Sequence, residues 1–218
     1  MENKQNWPEK RHSLYNMPGD GFGSPTWCSL EWIDDERFNS DRMAGEFKRA
    51  ADKIVLILLT DDDPYHRDGI FMPVAYLYRH SLELKLKYLL ELAVSCNLIQ
   101  PENANAVIIG HDLVRLWDLS KYSIQKHWPN SDKTVLNNTE ALIRDFHKMD
   151  KSGQGLRYSH DIHGNKTISQ YPRTIDLKLC QQSFDGIYNL LDGCCMEFSS
   201  ISDYIQESNV RTDSEYGF

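Results

Sequence analysis

Arg79, Glu83 and Lys87 stand four residues apart in the apolar stretch Met72 to Ala93, MPVAYLYRHSLELKLKYLLELA, with His80 beside the first of them. The i, i+4, i+8 spacing puts the three charges on one stripe of a helix whose remaining surface (Val74, Leu77, Tyr78, Leu82, Leu86, Leu89, Leu90, Ala93) is apolar. Such a helix belongs at the centre of a bundle. Its charges then need water or polar partners, because an unpaired charge among packed side chains costs several kcal/mol. Gly110-His111-Asp112-Leu113 and Leu156-Arg157-Tyr158-Ser159-His160-Asp161 offer such partners. The chemistry open to this set is proton transfer by a histidine beside an arginine that holds developing negative charge. Arg157 is the candidate cation and His163 or His160 the proton carrier. Arg79 and His80 would line the same cleft, with Glu83, His111 and Asp112 in support.

Each of these residues also has a structural reading. Arg157 can form an ion pair with Glu83 or Asp112, leaving His160 and His163 as exposed loop residues. Arg79 and His80 can belong to a polar network that orients the central helix. His111-Asp112 reads as a helix-start cap. His160, Asp161 and His163 lack the cysteine pair that would make a zinc site convincing. Asp61-Asp62-Asp63, between a helix and Pro64, reads as a solvated loop rather than a magnesium site. Gly19-Asp20-Gly21-Phe22-Gly23 follows no strand, so it is a turn and not a phosphate loop. Spacing alone supports no Ser-His-Asp or Cys-His nucleophile. Neither a metal nor a cofactor is expected.

The elements that must position these residues follow from periodicity and breakers. A first helix is expected from about Asp41 to Leu59, the central helix to near Asn97 with Pro101 at the break, and a shorter helix opening at Gly110-His111-Asp112. Further helices are expected over roughly Ser131 to Met149 and Thr174 to Gln206. Between them Asp150 to Arg173 is long for a connection within a domain, a feature of functional loops. Leu156–Tyr158 and Lys166–Ser169, flanking His163-Gly164-Asn165, read as a small β-hairpin. The predicted fold is mainly α: a bundle of about five helices over residues 41–205, with this hairpin insert, an aromatic N-terminal arm over residues 1–40, and an acidic C-terminal tail over 206–218. Trp7, Tyr15, Trp27 and Trp32 suggest that the arm packs on the body.

The 218 residues carry a net charge of −8. Residues 1–40 hold four basic against seven acidic side chains, residues 41–198 nineteen against twenty-one, and residues 199–218 one against four. The acidity therefore sits at the two ends. A near-neutral middle lacks the broad basic face of non-specific nucleic-acid binders, so any RNA contact should be local or completed by a partner. Five scattered cysteines read as reduced thiols. With no apolar run of membrane-spanning length and no signal-like N-terminus, a soluble cytoplasmic protein is expected, without a membrane partner.

Tyr78-Arg79-His80-Ser81-Leu82-Glu83-Leu84-Lys85-Leu86-Lys87, followed by Gly110-His111-Asp112-Leu113 and by Met149-Asp150 with Leu156-Arg157-Tyr158 before Asp161 and Gly164, resembles the HEPN superfamily over roughly residues 41–205. The resemblance implies a small helical bundle from prokaryotic toxin–antitoxin or anti-phage systems. Many members are metal-independent ribonucleases whose signature is an Arg followed after four to six residues by His. Arg157 and His163, with five residues between them, have that spacing. Active members usually place a polar residue directly after the Arg and set the pair at a helix start, where this chain has Tyr158 and a glycine turn. Two functions are thus expected: a HEPN-type endoribonuclease acting in antiviral defence or as a toxin, or a catalytically silent bundle serving as a binding or assembly subunit. The implied partners are an RNA substrate, a second copy in a homodimer, and an antitoxin, sensor or ATPase protein.

Overall fold

A computed structural model describes residues 40–61, 63–158, 160, 163–166 and 174–216. The aromatic arm and the second half of the expected hairpin, apart from Lys166, lie outside the described residues. Six helices are present among them: α1 (Ser40–Thr60), α2 (Pro64–Ser95), α3 (Pro101–Ile108), α4 (Leu113–His127), α5 (Lys133–Met149) and α6 (Leu177–Tyr216). None is long and apolar enough to cross a membrane.

The chain is mainly α, as its periodicity predicts, with α2 at the centre packed against α1, α3, α4 and α6. Val74, Tyr78, Leu82, Leu86, Leu89 and Leu90 of α2 are fully buried. They meet Val55 and Leu58 of α1, Leu116 and Trp117 of α4, Phe146 of α5, and Phe184, Leu191 and Phe198 of α6 in one core. Because α2 is covered by several neighbours, it is apolar around most of its circumference. Truncating one of its core leucines to Ala typically costs about 2–5 kcal/mol.

Three boundaries differ from expectation, each for a local reason. Helix α2 begins at Pro64, with Asp63 as its cap accepting from Tyr65 N at 2.9 Å, and runs through Pro73. A proline inside a helix removes one hydrogen bond, and a strongly buried face downstream outweighs that loss here. Pro101 opens α3 rather than merely ending α2, since the first helical position needs no N–H. Helix α6 continues to Tyr216, so most of the segment expected as a tail is helical.

The expected β-hairpin is not seen. Among the described residues there is no strand, and one isolated antiparallel bridge joins His160 and Lys166 around Gly164, whose φ is 80°. The cause lies upstream. Asp150 draws in the Gly155 N–H at 2.9 Å and the Leu156 N–H at 3.4 Å, while the Arg157 and Tyr158 N–H groups donate to the Gln154 carbonyl, both at 3.0 Å. Backbone donors committed to a turn are not available to a strand ladder.

A polar seam joins α1, α2 and α6. Lys85, 1% exposed, binds Asp41 and reaches Asp192 at 2.6 Å. Burial alone would lower its pKa, but the two carboxylates outweigh that effect and hold it above the ordinary value. Nearby, Tyr78 donates to Asp52 at 2.7 Å, and Lys48 bridges Asp52 at 2.7 Å and Asp185 at 2.6 Å. Cys96, Cys180, Cys194 and Cys195 are free thiols. Burial pushes Cys194 up to about 11 and Cys195 up to about 12, which keeps both protonated and inert.

Candidate functional site

The site grows from Arg79. Its guanidinium is 2% exposed, and each of its nitrogens meets a different part of the chain. Nη1 donates to Glu83 Oε2 at 3.0 Å on the same helix, Nη2 to the His111 carbonyl at 2.7 Å before α4, and Nε to the Asp150 carbonyl at 2.9 Å after α5. One planar fork thus pins α2, the entry to α4 and the long loop to one another, a task for which lysine has the wrong geometry.

Glu83 completes this node. Its Oε1 accepts from Lys87 at 2.9 Å and lies 2.7 Å from His111 Nδ1. Burial pushes the carboxyl pKa up, but the hydrogen bonds from Lys87 and His111 outweigh it and hold Glu83 below the ordinary carboxylate range. Asp112 caps α4, accepting from Val114 N at 2.9 Å and Arg115 N at 3.1 Å. His147 Nδ1 stands 3.6 Å from that cap's carboxylate, and its pKa is lowered, first by burial.

The loop folds over this node. Gly153 has φ 75°, and a Cβ built there would lie 3.1 Å from Arg79 Nη1 and 3.1 Å from His111 Cβ. Its carbonyl, turned the other way, accepts from Arg157 Nη2 at 2.8 Å and Nε at 3.1 Å. The guanidinium carbon of Arg157 lies 5.6 Å from the centroid of the Tyr76 ring and 5.7 Å from that of Tyr158. Tyr76 stacks on His80, one turn along α2, with centroids 5.7 Å apart and planes 6° from parallel, and Phe47 of α1 meets the same imidazole edge-on at 4.5 Å. The result is a ledge of cation, phenol and imidazole. His80 has a lowered pKa, chiefly from burial; Glu83 opposes that effect and Arg157 adds to it. The ring is therefore neutral near pH 7 and able to accept a proton.

The predicted site residues separate into three sets. Arg79 and Glu83 are buried together, His111 joins them through its carbonyl and an exposed ring, and Asp112 beside it caps α4. Arg157 and His80 each contact Tyr76, which joins them in the ledge. Arg157 bonds the neutral Gly153 carbonyl rather than Glu83 or Asp112, and lies against Tyr76 and Tyr158. His160 and His163 are exposed, on the loop beyond. Sequence reasoning missed Asp150, Gly153 and Tyr76. The i, i+4 pair Tyr76–His80 was visible as a helical contact, and Asp150 with Gly153 and Gly155 as a side-chain-capped turn. Among the described residues no group of three or more His, Cys, Asp or Glu gathers that could hold a metal; Asp161 lies outside them. No protein-family model matches the chain, and no curated protein or solved structure does.

Proposed function

We propose that the protein is a HEPN-type, metal-independent endoribonuclease of prokaryotic defence or toxin–antitoxin systems, with the Arg157–Tyr76–His80 ledge as its working face. The observation that supports this most is the placement of an arginine whose hydrogen-bond partner is a neutral carbonyl against a ring stacked on a neutral histidine. Stacked rings accept a nucleobase face, and the arginine accepts a phosphate. In the proposed reaction His80 takes the proton of the ribose 2′-OH as that oxygen bonds to the adjacent phosphorus. Arg157 holds the charge gathering on the non-bridging oxygens. The bond to the 5′-oxygen breaks, and His160 or His163 returns a proton to it. The products are a 2′,3′-cyclic phosphate and a 5′-hydroxyl. The test is incubation of single-stranded RNA with the protein in EDTA. Cutting should persist there and vanish when the 2′-OH at the cleaved position is replaced by hydrogen.

The second reading, a silent binding or assembly subunit, draws on the closed state of the Arg79 node, whose charges are satisfied internally. It predicts RNA or protein binding with no cleavage under any metal condition, and equal binding of RNA and its 2′-deoxy analogue.

A further inference from the structure

Glu83 holds a second imidazole besides the one on the ledge. Its Oε1 lies 2.7 Å from His111 Nδ1, and the carboxylate side chain is 4% exposed against 55% for the His111 side chain. A carboxylate at Nδ1 keeps a proton on that nitrogen, so Nε2 is the one left to exchange a proton with a molecule in front of the ring. Such a dyad fixes the tautomer and the direction of the imidazole, and it balances the charge that the ring carries when protonated. Glu83 is itself steadied by Arg79 at 3.0 Å and Lys87 at 2.9 Å.

The dyad stands beside the ledge. A Cβ built on Gly153 would lie 3.1 Å from His111 Cβ, and the Gly153 carbonyl accepts from Arg157 Nη2 at 2.8 Å, so a single glycine separates His111 from Arg157. Glu83 is also one turn along α2 from His80, and its charge acts on both imidazoles. His80 is packed between the rings of Tyr76 and Phe47, whereas His111 is bonded to a carboxylate. Two histidines in such unlike surroundings suit the two halves of acid–base catalysis, the first taking a proton and the second giving one.

We propose that His111, oriented by Glu83, is the acid that returns a proton to the departing 5′-oxygen. The inference rests on the ledge reading and narrows it, moving that one step from His160 or His163 to the dyad. As the bond between phosphorus and the 5′-oxygen breaks, its electron pair goes to the oxygen and the proton on His111 Nε2 follows. Glu83 keeps the Nδ1 proton bonded throughout, His80 holds the proton taken from the 2′-OH, and exchange with solvent restores both rings.

The test is single-turnover cleavage in EDTA of two single-stranded RNAs that differ in one atom, the 5′-oxygen of the cleaved linkage being sulfur in the second. A thiolate leaves without protonation, so the sulfur linkage does not need the acid. His111→Ala keeps the backbone carbonyl that Arg79 binds, and circular dichroism should show the wild-type helicity. It should cut the oxygen linkage at least about a hundredfold more slowly than the wild type, and the sulfur linkage at the wild-type rate. His80→Ala should slow both, because the 2′-OH proton must be removed in either case. Equal slowing of the two linkages in His111→Ala would make the dyad structural and overturn the inference. So would an unimpaired His111→Ala, or sulfur rescue of His160→Ala or His163→Ala in its place. A wild type that cuts neither linkage would overturn the ledge reading itself, and the inference with it.

Discussion

Arg79 is the residue on which the candidate site depends. Its charge is buried and paired with Glu83, while its other donors hold two backbone carbonyls from separate elements. Replacing it with Ala leaves Glu83 with only Lys87 and His111, takes the cation from the buried Asp150 carboxylate 3.6 Å away, and deprives both carbonyls of this donor, so Arg79→Ala should destabilise the fold by about 3–5 kcal/mol in chemical denaturation. Arg79→Lys should recover only part of that loss, since an ammonium cannot span the same fork. Gly153 offers a finer probe. A Cβ there meets Arg79 and His111 at 3.1 Å on a left-handed backbone, so Gly153→Ala should cost about 1–3 kcal/mol and displace Arg157. His80 can be read through pH. Its lowered pKa keeps it neutral above the ordinary histidine value of 6.5, so cleavage dependent on it as a base should rise to a plateau with a midpoint below 6.5. A profile unchanged in His80→Ala would move the base to His160 or His163.

At the scale of elements, α1, α2, α4, α5 and α6 were legible in the sequence because each carries a helical apolar period long enough to stand out from its flanks. Asp112 could be recognised as a cap from its place before Leu113. Asp112→Ala should cost about 0.5–2 kcal/mol and fray the start of α4, visible as faster amide exchange at Val114 and Arg115. The shape of the loop after α5 was not legible. Its glycine turn and β-prone flanks suggested a hairpin, but its backbone donors go to Asp150 and Gln154; the Asp150-Gly153-Gly155 spacing carries that turn signal, and the hairpin pattern downstream competed with it. Helix α3 escaped for a related reason, since Pro101 terminates one helix and begins the next. The site was half legible: the types of the charged residues and their need for partners could be read, whereas the choice of Arg79 rather than Arg157 for Glu83 depends on the tertiary fold. The pairing of Arg157 with His80 through Tyr76 depends on it in the same way.

Across the whole molecule, two half-buried histidines and a buried carboxylate shape the response to acid. His80 and His147 have folded pKa values below 6.5, so the unfolded chain binds more protons and stability falls as pH drops from 6.5 toward those values. Glu83, held below its ordinary 4.5, adds a second loss as pH falls below 4.5. Lys85 acts at the other end: its contribution is complete below 10.5 and is lost as pH rises through its raised folded value. Denaturant midpoints followed from pH 8 to pH 4 should therefore decline from near 6.5 downward, and more steeply below 4.5.

The ledge itself is tested most directly by the single-turnover cleavage rate of a single-stranded RNA in EDTA, compared for the wild type and Arg157→Ala. Arg157 lies on an exposed turn, so its loss should leave helicity and thermal midpoint near those of the wild type. The wild type should yield 2′,3′-cyclic phosphate ends, with the rate at least about a hundredfold lower in Arg157→Ala. An equal rate in the two proteins, or wild-type cleavage of the 2′-deoxy substrate, would contradict the ledge as the site of reaction.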